Sequence, residues 1–137
     1  MPERILSRER PQSTPDPDAK GRILMRVDPA AFGRFTRWDL NKQGYDVTSV
    51  HRLTADLVER QNPDTILFFH HTDEPLPLET LQSLPPDMPV IVATVGTKEP
   101  DLQLVEFAQH RGYTLLSSRM GPNLHVVLRT LKSIHPN

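Results

Sequence analysis

Residues 63–74 read Pro63-Asp64-Thr65-Ile66-Leu67-Phe68-Phe69-His70-His71-Thr72-Asp73-Glu74. Within them, Thr65 to Phe69 is a short apolar run without alternation, opened after a proline and closed by polar residues, which predicts a strand rather than a helix. A strand with one wet face alternates polar and apolar residues. An unbroken run means cover on both faces, as parallel strands between two helical layers have. Val90 to Val95 repeats the pattern, and between the two runs Leu78 to Leu84 predicts a short helix that Pro85-Pro86 ends.

The alternation extends in both directions. Upstream, Arg22 to Val27 (RILMRV) predicts the first strand, and Asp28-Pro29 opens a helix through Asn41, with proline near the first turn where its missing N–H costs nothing. Gly44-Tyr45 closes that helix, Asp46 to Val50 predicts the second strand, and Thr54 to Gln61 a helix with Leu57 and Val58 inward. Downstream, Asp101 to Arg111 predicts a helix stopped by Gly112, and Tyr113 to Ser117 the fifth strand. Leu124, Val127, Leu128, Leu131 and Ile134 are the apolar stripe of a last helix. Strands and helices alternate strictly from Gly21 onward, and right-handed crossovers then put helices on both faces of the sheet. The expected fold is α/β, a doubly wound five-stranded parallel sheet in the order 2-1-3-4-5, flavodoxin-like.

The 137-residue chain carries 16 Lys or Arg against 17 Asp or Glu, a balance that supplies no clustered positive field for nucleic acid or a membrane surface. Cysteine is absent, which removes disulfides, thiolate metal sites and thiol nucleophiles. The apolar run from Pro89 to Val95 is about a third of the roughly 20 residues that a membrane span needs. Residues 1–20 hold dispersed charge and several prolines, with only Ile5 and Leu6 as large aliphatics. That is too little apolar surface to offset the entropy of ordering, so a disordered N-terminal arm is expected ahead of a single domain over residues 21–137. The arm also lacks the apolar core of a signal peptide, and a cytoplasmic location is expected. No G-x-S-x-G elbow, no G-x-G-x-x-G after the first strand and no G-x-x-x-x-G-K-[ST] loop is present, so no cofactor is expected.

Over Gly21 to Ile134 the sequence resembles the receiver domain of bacterial two-component response regulators. The cues are Ile23-Leu24-Met25 followed by Asp28-Pro29, Gly44-Tyr45 after the first helix, Pro63-Asp64 before the third strand, and Pro89-Val90-Ile91-Val92-Ala93-Thr94 with its terminal hydroxyl. The resemblance implies a phosphoacceptor aspartate six positions after the proline, and counting from Pro63 puts Phe69 there. It also implies an acidic pair at the end of the first strand. Counted from Gly44, Asp28 is the second acid and Val27 replaces the first; counted from Pro29, Arg26 and Val27 replace both. Thr94 matches the hydroxyl that reads the phosphorylated state, and counting from Gly112 puts Arg119 where receivers carry their phosphate-pairing lysine.

A phenyl ring has no nucleophilic oxygen, and phosphoryl transfer needs that oxygen together with a divalent cation held by carboxylates. Asp28, Phe69, Thr94 and Arg119 therefore outline a degenerate phosphoacceptor pocket. The chain resembles a pseudo-receiver, which implies a non-phosphorylatable signalling or scaffolding module that binds proteins and is not an enzyme. In receivers the fourth helix, fifth strand and fifth helix form the usual dimer or output face. Leu102 and Phe107 stand off the Leu104, Val105 and Ala108 stripe of the fourth helix, and Trp38 flanks the apolar arc of the first. Trp38, Leu102 and Phe107 are the expected interaction surface for a protein partner or a second copy in a homodimer.

A second reading keeps the fold and gives it chemistry. Asp28, His70, Asp73 and Glu74 sit at predicted strand ends, the edge where doubly wound sheets hold ligands, and would serve a small-ligand- or metal-dependent enzyme. Adjacent histidines on an extended chain point to opposite faces, which works against both binding one ion.

Overall fold

The computed structural model describes residues 20–27, 33–72, 74–96, 98–118 and 124–134. Along them run β1 (Arg22–Arg26), α1 (Gly33–Lys42), β2 (Asp46–Val50), α2 (Ala55–Gln61), β3 (Thr65–His71), α3 (Leu78–Gln82), β4 (Val90–Val95), α4 (Leu102–Arg111), β5 (Thr114–Ser118) and α5 (Leu124–Ile134). The strands form one parallel sheet in the order β2-β1-β3-β4-β5, the topology that the apolar patterning predicts.

The central strand explains why two helical layers are needed. Successive side chains of a strand point to opposite faces. Ile66 and Phe68 enter a cluster with Leu24, Val92 and Leu104, while Leu67 and Phe69 enter another with Met25, Ile91 and Ala93. Leu40 of α1 and Val127 and Leu131 of α5 close the Phe69 side; Val58 of α2, Leu81 of α3, and Leu104 and Ala108 of α4 close the Phe68 side. Truncating a buried ring such as Phe68 to alanine would cost about 3–5 kcal/mol, so each layer depends on these contacts.

Local signals set the helix ends. The Thr54 hydroxyl accepts from the Leu57 N–H at 3.1 Å to start α2, and the Asp101 carboxylate accepts from the Gln103 N–H at 2.8 Å to start α4. Gly112 closes α4 at φ 74°, a left-handed conformation in which a Cβ would be strained although it would meet no neighbour.

Some boundaries differ from expectation. β3 continues two residues past Phe69, because its ladder with β4 goes on through His70↔Thr94 and His71↔Val95. Backbone pairing there outweighs the polarity of the histidines. β1 stops at Arg26, although the Val27 N–H still donates to the Val50 carbonyl at 2.9 Å. α3 stops at Gln82, with Leu84 buried beyond it, so the apolar spacing marked a core contact rather than another helical residue. β5 begins at Thr114 instead of Tyr113. The expected opening of α1 at Asp28-Pro29 and the arm before Lys20 lie outside the described residues.

Candidate functional site

Because every strand runs the same way, Arg26, Val50, His71, Val95 and Ser118 all end at one edge of the sheet. Doubly wound folds hold ligands at this carboxyl edge, where the loops diverge.

Phe69, at the counted acceptor position, faces the α1–α5 layer. It is 1% exposed in a cluster with Met25, Ala93 and Val95, and Val27 packs against the same group. Thr94 is buried too, and its hydroxyl donates to the Leu116 carbonyl at 3.4 Å, a long bond between β4 and β5. Asp28 and Arg119, the other expected members of that pocket, lie outside the described residues, as does Asp73.

On the opposite face a different polar arrangement closes the edge. Arg26 meets Glu74 in a two-point pair, with Nη1 to Oε1 at 3.2 Å and Nη2 to Oε2 at 3.1 Å. Nη1 also donates to the Phe69 carbonyl at 2.7 Å, and Nε to the His51 carbonyl at 3.3 Å. The guanidinium lies over the Phe68 ring, 5.1 Å from its centroid. A planar guanidinium suits this environment, because it can stack on an aromatic face while its N–H groups reach a carboxylate in its own plane.

Glu74 is drawn back onto the end of its own strand. Its N–H donates to the His71 carbonyl at 2.9 Å, and its Oε1 accepts from the His71 N–H at 3.0 Å. His70, buried in β3, brings Nδ1 to within 3.6 Å of the same oxygen. Burial opposes charge on Glu74, but hydrogen bonds from Arg26 and His71, with the electrostatic influence of Arg26 and of the neighbouring His70, outweigh it and hold the carboxyl below the usual carboxylate range.

A cleft of about 520 Å³ opens beside the pair, bounded by Arg26, His51, Phe68, His70, Glu74 and Thr80 among others. A second, of about 250 Å³, shares His70 and Glu74 and reaches Thr72, Lys98 and Asp101. Of the metal alternative, only His70 and Glu74 are brought together by described residues, and both Glu74 oxygens already accept from Arg26. Among the described residues no group of three or more His, Asp or Glu is placed to hold a metal ion.

The three expected surface residues fare differently. Trp38 is 58% exposed, with the Lys42 ammonium 4.3 Å from its ring centroid, and Leu102 is 68% exposed at the start of α4. Phe107 is half-buried. It packs against the Phe68-side cluster, edge-on to Tyr113 with centroids 6.0 Å apart, and Arg111 covers it at 5.1 Å. Arg111 is held there by the carbonyls of Gln82 and Leu84 and by the Tyr113 hydroxyl. Since α1 and α4 cover opposite faces of the sheet, Trp38 and Leu102 do not form one patch.

Sequence spacing did not reveal the Arg26–Glu74 pair, whose members are 48 positions apart. The signal available was an arginine closing an apolar strand, a charge that burial obliges to find a partner. No helix among the described residues is long and apolar enough to cross a membrane.

No protein-family model matches the chain, and no curated protein sequence matches it. Solved structures match in fold. A CheY-like response regulator receiver domain protein from Methanospirillum hungatei JF-1 is similar at TM-score 0.63 and 24% identity, over 82% of this chain and 90% of that one. A response regulator protein from Burkholderia multivorans is similar at TM-score 0.60 and 21% identity, over 82% of this chain and 93% of that one. The pseudo-receiver domain of the CikA protein is similar at TM-score 0.57 and 20% identity, over 85% and 98%. The chain therefore has a receiver-like fold, with an arginine–glutamate pair at the carboxyl edge of its sheet.

Proposed function

We propose that the chain is a non-phosphorylatable receiver-like signalling or scaffolding module of the cytoplasm, acting without a cofactor through contacts with a protein partner or a second copy of itself. The observation that carries this reading is Phe69: it stands six positions after Pro63 and is buried in an apolar cluster with Met25, Ala93 and Val95. On this reading Asp28, Phe69, Thr94 and Arg119 are the remnant of a phosphoacceptor pocket. The Thr94 hydroxyl is already engaged with Leu116, and the Phe69 carbonyl is already engaged by the Arg26 guanidinium. That one solved structure of similar fold is described as a pseudo-receiver supports it further.

The test is direct. Incubation with acetyl phosphate and magnesium, followed by intact-mass spectrometry, is expected to leave the mass unchanged. A labile aspartyl phosphate would overturn the reading.

The cleft of about 520 Å³ favours a second reading, a small-ligand enzyme working at the same edge, since ligand pockets commonly fall between about 300 and 1,000 Å³. A thermal-shift screen against nucleotides and small carboxylates discriminates the two. Stabilisation by one of these that disappears in His51→Ala would favour the enzyme; a flat response across the screen speaks for the scaffold.

A further inference from the structure

Four oxygens from three segments converge on the side chain of Arg26. They are the Phe69 carbonyl of β3 at 2.7 Å, the His51 carbonyl after β2 at 3.3 Å, and the two Glu74 carboxylate oxygens before α3 at 3.2 and 3.1 Å. Hard oxygens with net negative charge, drawn from separate segments, are what a protein assembles around a cation. We propose that Arg26 is a resident cation: its guanidinium fills an oxygen-lined cation site at the carboxyl edge and thereby holds the segment leading into α3 against the sheet without any metal ion.

The chemistry of the side chain makes this occupancy permanent. A guanidinium stays protonated throughout the range in which a protein is folded, and being covalently attached it does not exchange with solvent as a metal ion does. Its plane lets two N–H groups meet one carboxylate while a third meets a backbone carbonyl, and the Phe68 ring beneath it excludes water from one side. The side chains of the pair are only 17% and 26% accessible, so the interaction is less screened by solvent than a surface pair. Glu74 anchors the consequence: it lies between β3 and α3 and lines both clefts, so its position sets the shape of the edge. The edge keeps one geometry whatever the ion concentration. This inference stands on the Arg26 geometry, and it gives the non-phosphorylated module proposed above a reason to be constitutively shaped.

Arg26→Ala in the full chain tests it. The melting temperature is expected to fall by about 5–10 °C, in line with loss of one partner of a partly buried pair. Amide exchange at His71, Thr72 and Glu74 should accelerate. Guanidinium at about 10 mM, far below the molar concentrations that denature proteins, should restore part of both losses in the variant while leaving wild type unmoved. Arg26→Lys, which keeps the charge but not the fork, should recover less than half of the loss. Should Arg26→Ala not fold, Glu74→Gln provides the same reading through faster exchange at His71.

Unchanged exchange in these variants, absence of guanidinium rescue in a folded Arg26→Ala, or stabilisation of wild type by magnesium would each overturn the resident-cation proposal. None of them bears on Phe69. An aspartyl phosphate on wild type would overturn the non-phosphorylated reading and leave the guanidinium site standing.

Discussion

Arg26 and Glu74 meet edge to edge across 48 residues of chain, two N–H groups facing two carboxylate oxygens at 3.2 and 3.1 Å. The pair joins the end of β1 to the segment between β3 and α3, and so belongs to the topology of the sheet rather than to any local motif. It places a charge on each side of a contact that is mostly screened from water, and measurable consequences follow from that placement.

The acid response of the fold should run through Glu74. Its carboxyl is held below the usual range in the folded state, so its contribution is fully present above the unfolded value and is lost as pH falls through the lower, folded one. His70 faces the same carboxylate, so the comparison belongs below the range in which a histidine ordinarily titrates. From about pH 5.5 down to about pH 3, the stability difference between wild type and Glu74→Gln should shrink toward zero. Thermal melts across that window check it, and a difference that grows on acidification would refute the assignment.

Arg111 should act as a staple between two helices. Its guanidinium donates to the Gln82 carbonyl at 3.1 Å, the Leu84 carbonyl at 3.4 Å and the Tyr113 hydroxyl at 3.2 Å. Arg111→Met keeps most of the apolar stem and removes those donors, so a loss of about 1–2 kcal/mol is expected in urea unfolding. Exchange should quicken at Ser83 and Leu84. A variant as stable as wild type would mean that water replaces the arginine without cost.

The surface residues divide by burial. Phe107→Ala should lower stability by about 1–3 kcal/mol because the ring packs against the Phe68-side cluster, whereas Trp38→Ala and Leu102→Glu should each stay within about 0.5 kcal/mol of wild type.

Association should separate the last two. Trp38 and Leu102 lie on helices covering opposite faces, so a single interface uses one of them: one variant should weaken homodimerisation or partner capture about tenfold, roughly 1.4 kcal/mol, and the other should not. Sedimentation velocity measures the first association and titration against a captured partner the second. Equal weakening by both variants would require two interfaces, and no effect from either would remove these residues from any docking surface.

By itself the sequence determined the architecture. Thr65 to Phe69 and Val90 to Val95 are apolar without alternation, and only a strand covered on both faces tolerates that, so a parallel sheet between two helical layers was legible from local pattern. That Phe69 stands six positions after Pro63 is a count along the chain and needs no knowledge of contacts. Tertiary structure decided the rest. It carried β3 on to His71, since a strand ends where its neighbour stops pairing. It covered Phe107 in part by bringing Tyr113 and Arg111 around it, and it joined Arg26 to Glu74 by setting the ends of β1 and β3 side by side. A residue's period and polarity are properties of its immediate neighbours in the chain. Its partner across the sheet is set by which strand ends the topology brings together, and no spacing along the sequence encodes that.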